Sequence, residues 1–404
     1  MSHYDDLETR SEEERAASLA ECLPAQVGAA KSLPGYREAF DGFNPSEITT
    51  REALARLPVL RKSDLTSAQT PGNPLGGYAG GVSGFAHVFQ SPGPIYEPGQ
   101  VSHDWWRVGR FLFAASVGDG DIVQNCFGYH LTPAGMIFEN GARAVGATVL
   151  PAGTGQSELQ ARAARDIGTT AYAGTPDFLK VILEKADELG FTLKITKATV
   201  SGGALFPSLR QAYQERGIET LQCYATADLG LIAYESPAME GMIVDEGVVV
   251  EIVRPGTGDP VADGEVGEVV VTTLNPDYPL IRFATGDLSA VMPGKSPCGR
   301  TGMRIKGWMG RADQTTKIKG MFVRPEQVAE LVARHREVSK ARVIASRDGE
   351  MDVMTVQIET RAGDVTALER SVADVLKLKG RVELLSPGAL PNDGKVIDDQ
   401  RVYD

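Results

Sequence analysis

What this chain lacks narrows its class before any motif is read. Cysteine is sparse: Cys22, Cys126, Cys223 and Cys298 are scattered with no CxxC pair. That spacing argues against a disulfide framework and a structural zinc site, and it fits a reducing compartment. Basic charge is outnumbered, with 41 Lys and Arg against 53 Asp and Glu and a net charge of −12. A polyanion-binding surface, and so nucleic acid as a partner, is not expected, although a local basic pocket for one nucleotide is compatible with this balance. No apolar run approaches the ~18 residues that span a bilayer. The stretch Met1 to Arg15 is acidic and polar, unlike a secretory signal. Internal repeats and low-complexity tracts are absent too. A soluble, cytoplasmic protein with no membrane partner is the expectation.

What is there is ordinary globular composition, 42% hydrophobic and 23% charged over 404 residues, enough for two or three domains. Residues 1–60 read as helices and turns, with Ser11 placed to cap a helix whose first turn holds Glu13 and Glu14. Residues 70–100 are rich in Gly and Pro and read as loop or irregular strand. An α/β rhythm follows. Helical spacing covers 104–115, 157–166 and 177–189; short strands are expected at 121–127, 144–150, 169–173 and 197–200. Strands alternating with such helices predict a largely parallel sheet covered on both faces. From Val244 the runs become β-branched, at 248–253 and 268–273, separated by Gly- and Asp-containing turns. These predict antiparallel hairpins, in a small β-barrel-like portion or a side sheet. After Asp313 a strand near 316–318, helices over 325–336 and 365–378, and strands over 341–345, 352–359 and 381–385 predict a small α+β domain.

Several motifs stand out against this frame. Asp287 lies in the Thr-Gly-Asp turn that ends Pro279-Leu280-Ile281-Arg282-Phe283-Ala284-Thr285-Gly286-Asp287-Leu288. One carboxylate there can accept hydrogen bonds from both hydroxyls of a ribose, and it can equally be an ordinary turn aspartate. The run Gly310-Arg311-Ala312-Asp313-Gln314-Thr315-Thr316-Lys317-Ile318-Lys319-Gly320 follows. Ser201-Gly202-Gly203-Ala204 stands between a strand and a helix, where glycine lets backbone approach a flat ligand, though a lone Gly-Gly says little. Tyr224-Ala225-Thr226-Ala227-Asp228 and Pro391-Asn392-Asp393-Gly394-Lys395 complete the set.

In this order and spacing the motifs resemble those of the adenylate-forming enzymes, in the branch of phenylacetate-CoA ligase, over residues from about 80 to the C-terminus. The resemblance implies an α/β fold: a large N-terminal domain (1–312) of mixed and parallel sheets with a β-barrel-like portion, and a mobile C-terminal domain (313–404). It implies ATP, AMP, CoA and Mg²⁺ as cofactors and a small carboxylic acid as substrate, and it allows a homodimer. The reaction implied is acid plus ATP to acyl-AMP and pyrophosphate, then transfer to CoA. Loading of a protein thiol, or non-catalytic binding of an adenylate or acyl group, are the alternatives.

The same resemblance assigns residues. Gly202, Gly203, Ala204, Tyr224, Ala225, Thr226, Asp287 and Arg311 would hold the nucleotide. Asp228, where the pattern has glutamate, would hold Mg²⁺; Ala227 stands where a hydroxyl residue is usual, with Thr226 beside it. Lys395 would bridge carboxylate and α-phosphate, stabilising the charge that develops as they meet; a solvated lysine is the plain alternative. Asp313 would be the hinge, and Lys317 and Gly320 would line the thiol channel. Phe127, Tyr129 and His130, with Gly174, Thr175 and Pro176, would form the acyl pocket, whose aromatic walls suit an aryl acid. His130 reads equally as a structural histidine. Zinc, which some relatives hold near the middle β-region, is not expected with Cys298 alone.

The departure is the phosphate loop. The pattern calls for a Ser/Thr/Gly-rich stretch ending in Gly-Lys-Pro, and this chain has Ser91-Pro92-Gly93-Pro94-Ile95-Tyr96-Glu97-Pro98. Pro92 and Pro94 lack amide donors, and Glu97 would repel a triphosphate.

Overall fold

A computed structural model describes residues 3–203, 205–312, 316–348, 351–391 and 395–401. The chain divides into two compact units: Met1–Val250 with Val271–Phe283 and Met292–Gly307, and Glu251–Val270 with Ala284–Val291 and Trp308–Asp404.

The first unit is built on a parallel sheet. Its strands lie in the order Thr148–Pro151, Ile122–Asn125, Ala171–Gly174, Lys197–Val200 and Glu219–Thr226. Gly230–Tyr234, Met242–Val244 and Arg304–Ile305 extend it antiparallel. Helices Ala134–Ala144, Ser157–Ile167, Pro176–Glu188 and Pro207–Glu215 connect successive parallel strands. The alternation of side chains along each strand feeds two cores. Ala171 and Ala173 join Phe111, Phe127 and Phe138 in one, while Tyr172 joins Leu179, Ile182 and Val200 in the other. After Ile122–Asn125 the chain moves to one side of that strand, and after Thr148–Pro151 it crosses to the other. The crevice beyond the carboxyl ends of Ile122–Asn125 and Ala171–Gly174 is therefore a topological switch point, where open α/β sheets bind ligands.

The long N-terminal helix, Glu12–Ser32, starts as expected: Ser11 and Glu14 exchange side-chain and backbone hydrogen bonds in a capping box. Two expectations differ. The helix placed at 104–115 shrinks to Gly109–Ala114, because Asp104 and Arg107 take left-handed conformations and the Asp104 carboxylate accepts from the Gly109 amide. Ala134–Ala144 is a helix the sequence did not announce; Gly135 and Gly141 dilute its pattern, and both are needed. A methyl group on Gly141 would lie 2.7 Å from Val108, and one on Gly135 would lie 2.8 Å from the Gly128 carbonyl and the Tyr129 ring.

The β-branched runs pair as strands Val248–Val253, Gly267–Thr273 and Phe283–Ser289, in a four-stranded sheet with Leu60–Arg61 at one edge. The sheet is open, so among the described residues the barrel-like portion is a side sheet. Arg282, 2% exposed and at φ +48°, sends its guanidinium to the carbonyls of Ala55 and Leu57. It ties loop to sheet rather than facing a ligand.

In the second unit the strands Arg381–Leu385, Met351–Thr360, Val338–Asp348 and Ile397–Asp399 form one sheet in that order. Helices Pro325–Ala333 and Val365–Leu376 contribute Val328, Leu331, Leu368 and Val372 to its core, with Val343, Val356 and Ile358 from the strands. A hairpin, Thr316–Ile318 with Met321–Val323, turns at Lys319 and Gly320, at φ +46° and +84°. Positive φ at both central residues marks a tight hairpin turn for which glycine is suited.

Candidate active site

At the switch point the expected acyl and adenine loops come together. The Ser201 amide donates to the Gly174 carbonyl at 3.2 Å, and the Ser201 hydroxyl to the Cys223 carbonyl at 3.1 Å, so three strand ends are tied side by side. Gly202, at φ +71°, places its Cα so that a methyl group there would lie 3.8 Å from both Phe127 and Thr175. One on Gly203 would lie 3.3 Å from Pro176. Gly174 has no room for a side chain, since a methyl group would come within 2.2 Å of the Tyr172 hydroxyl. That hydroxyl donates to the Thr175 carbonyl at 2.9 Å and fixes the turn. Ala204 lies outside the described residues.

Phe127 is buried and stacked on Phe138, with ring centroids 4.3 Å apart. Asn125, 1% exposed, holds the loop above it. Its amide nitrogen donates to the Tyr129 hydroxyl at 2.7 Å and the Gly135 carbonyl at 2.8 Å, and its oxygen accepts from the Phe127 amide at 3.2 Å. Burial pushes the Tyr129 hydroxyl far above its ordinary range, so it stays neutral. His130 is exposed, its carbonyl accepting from the Thr132 amide. Tyr224 is buried at the end of its strand, Ala225 packs against the aromatic core, and the Thr226 hydroxyl accepts from the Leu229 amide at 3.2 Å. Thr226 thus closes the turn that carries Asp228.

Asp228 is buried and half satisfied. Its Oδ2 pairs with Lys62 Nζ at 3.1 Å, while Oδ1 is buried without a hydrogen-bond partner. Glu97 shares these surroundings. It stands in the second strand of the hairpin His87–Ser91 and Ile95–Gly99, which turns through Pro92, Gly93 and Pro94. The hairpin is pinned by Gln69, whose side chain exchanges two 2.8 Å hydrogen bonds with the backbone of Tyr96. Glu97 is fully buried; Ser91 is the one hydrogen-bonding group beside its carboxyl and favours the ionised form, but neither oxygen makes a well-formed hydrogen bond to it. Burial first, then the neighbouring Asp228, pushes its pKa up to about 8. The sequence reading of Glu97 as a charge that repels a triphosphate is therefore amended: near neutral pH the carboxyl is mostly protonated and is inside the protein.

In the second unit the Thr-Gly-Asp and Gly-Arg motifs meet. The Arg311 guanidinium and the Trp308 indole both donate to Asp287 Oδ1 at 3.0 Å. Backbone bonds from Ala312 to Gly286 and from Leu288 to Gly310 zip the two segments together. Asp287 is 8% exposed, Arg311 exposed. The carboxylate is thus held in one orientation with a cation beside it. Lys317 is exposed, its ammonium 5.8 Å from the centre of the Phe322 ring. The Gly320 turn is tethered through Asp352, which accepts from the Lys319 amide at 3.0 Å and from Arg401 at 2.9 Å. Lys395 is exposed and pairs with Asp398 at 2.8 Å, an arrangement that holds the Asp398 carboxyl below its ordinary range. Asp313 lies outside the described residues.

Two residues at these places escaped the sequence reading. Lys62 is far along the chain from Asp228, and only the fold joins them. Trp308 carried a signal, a Trp directly after Gly307 and two residues before Gly310-Arg311; in the structure it is 57% exposed. Among the described residues no three His, Cys, Asp or Glu side chains cluster as a metal site, and no helix is long and apolar enough to cross a membrane.

No family model matches the chain. Curated relatives do. The phenylacetate-coenzyme A ligase of Aromatoleum evansii is 29% identical over 88% of this chain and 84% of its own length. That of Escherichia coli K12 is 27% identical over 99% and 97%. Among solved structures, a 2-hydroxyisobutyryl-CoA ligase bound to an acyl-AMP in its postadenylation state superposes with a TM-score of 0.72 at 23% identity, covering 98% of this chain and 91% of its own. The same enzyme with its acyl-AMP and CoA in the thioesterification state gives 0.71 at 24%. The resemblance read from the motifs is borne out along most of the chain: it is similar to phenylacetate-CoA ligases and has the fold of a CoA ligase.

Proposed function

We propose that this protein is an AMP-forming carboxylate–CoA ligase acting on a small aryl acid. The carboxylate oxygen attacks the α-phosphorus of ATP, the bond to the β-phosphate breaks, and pyrophosphate leaves. The CoA thiolate then attacks the acyl carbon and AMP leaves. The observation that carries this reading is the gathering of Phe127, Thr175, Pro176, Gly202 and Gly203 at one switch point of a parallel sheet. Glycine backbone beside an aromatic ring at a switch point suits the approach of a flat acid and a flat base.

In this reading Tyr224 and the Gly202–Gly203 turn hold adenine, and Asp287 the ribose, with Arg311 toward the phosphates. Lys395 neutralises the two anions in the first step, and the loop from Lys317 to Gly320 serves the second after rotation about Asp313. Asp228 fits Mg²⁺, because a buried carboxylate oxygen without a partner suits a cation. Such an ion would offset phosphate charge. A cytoplasmic setting belongs to the same reading.

One feature favours a second reading. The turn Pro92-Gly93-Pro94 has two positions without an amide donor, so the grip on a departing pyrophosphate is thin. That favours a protein that takes a preformed acyl-adenylate, or binds without turnover. ATP–pyrophosphate exchange with a panel of aryl and short-chain acids decides between them. Exchange with one acid establishes the ligase. No exchange, together with AMP binding and no ATP binding by calorimetry, establishes the second reading.

A further inference from the structure

The pair Glu97 and Asp228 has no role in that account beyond the single cation ligand assigned to Asp228. Three carboxyl oxygens in it are buried without a well-formed hydrogen bond, both of Glu97 and Oδ1 of Asp228, with Ser91 as the polar group beside Glu97. Glu97 is fully buried and Asp228 6% exposed. The cation at hand is Lys62, bonded to the remaining Asp228 oxygen and 41% exposed along its side chain. One lysine cannot satisfy two carboxylates, and unsatisfied buried acceptors cost free energy. Buried oxygens of this kind are the ligands a small divalent cation uses, and Mg²⁺ is commonly held by one or two carboxylates with phosphate and water completing the shell.

We propose that Glu97 and Asp228 together hold the divalent cation of this protein, so that the glutamate standing where a phosphate-loop lysine is expected contributes through a metal ion rather than by direct charge. This rests on the nucleotide-site reading of Asp228. With the ion bound, Lys62 is released from Asp228, and its exposed ammonium becomes a donor for the phosphates that the two prolines leave short of amides. Ion binding releases the Glu97 proton to solvent; two carboxylates then face one divalent ion, and the freed lysine adds a positive charge toward the nucleotide.

The test uses the full-length protein and Mn²⁺ as the probe, followed by its electron paramagnetic resonance signal without nucleotide and without turnover. Glu97→Gln keeps the size of the side chain and removes its ability to ionise and bind a cation. Binding of Mn²⁺ is expected to weaken about 10–100-fold in Glu97→Gln and in Asp228→Asn alike. Thermal unfolding in chelator checks that Glu97→Gln is folded. A second measurement is the rise in melting temperature that Mn²⁺ gives the unsubstituted protein, which should vanish in Glu97→Gln. Unchanged Mn²⁺ affinity in Glu97→Gln with loss in Asp228→Asn overturns the proposal and leaves Asp228 as the ligand. No Mn²⁺ binding by the unsubstituted protein overturns it as well. Because no substrate is used, Glu97-dependent binding found together with AMP binding, no ATP binding and no pyrophosphate exchange would sink the ligase reading while this one stands.

Discussion

Two carboxylates, Asp287 and Glu97, are comparably buried, at 8% and 0% exposure, yet they live in opposite surroundings. Asp287 has an indole and a guanidinium donating to one oxygen and sits on backbone zipped to the Gly-Arg segment. Glu97 has only Ser91 beside it and no well-formed hydrogen bond, and its charged neighbours include a second acid, Asp228. Satisfied acids fix geometry at little cost; unsatisfied ones keep a proton or wait for a cation. Asp287 is thus fixed in one orientation by its donors, whereas Glu97 is left to a proton or an ion.

Substitutions can break this contrast, and the largest effect is expected away from both acids. Lys395→Ala should slow adenylation by about 100-fold or more, in line with loss of a charge-stabilising donor, and spare thioester formation from supplied acyl-AMP. Survival of pyrophosphate exchange would remove Lys395 from the first step. Next comes Glu97. Its folded-state pKa of about 8 lies above its ordinary 4.5, so the folded protein holds a proton that the unfolded chain has lost. In chelator, stability should therefore fall as pH rises from about 4.5 to about 8, by on the order of a few kcal/mol from this group. Glu97→Gln should flatten that slope in urea titrations, and an unchanged slope would mean that Glu97 ionises freely in the fold.

Asp287→Ala removes a charged acceptor and is expected to weaken AMP binding about 10–100-fold by calorimetry. Trp308→Phe keeps the ring and loses the indole donor, so the loss should be only a few-fold, near the ~1 kcal/mol of one hydrogen bond. Equal losses in the two variants would make the indole, not the carboxylate, the ribose contact.

How far the sequence carried this picture depended on whether each feature was local. Lys197–Val200 and Arg381–Leu385 were readable to the residue, because short apolar strands bounded by breakers announce themselves. The pairing of Asp287 with Arg311 was legible as a motif pair, though not as a hydrogen bond. Helix Ala134–Ala144 was hidden because its glycines answer to Val108 and Tyr129, contacts set by packing rather than propensity. The apolar spacing at 104–108 misled for the converse reason: the Asp104 side chain bonds the backbone and stops the helix short. The partnership of Lys62 with Asp228, and the burial of Glu97, are tertiary facts. A glutamate in a phosphate loop reads as a surface charge until the hairpin is seen folded inward.

Gly174 carries a consequence for anyone altering which acid is accepted. Its Cα faces the Tyr172 hydroxyl so closely that even alanine does not fit, while that same hydroxyl holds the Thr175 turn. This turn is interlocked: changing Gly174 alone should disrupt it, and removing the Tyr172 hydroxyl alone should loosen it. A library that varies the two positions one at a time would return mostly misfolded or idle proteins. Under the proposed acyl pocket, new substrate ranges should be more accessible from Phe127 and Tyr129 than from Gly174.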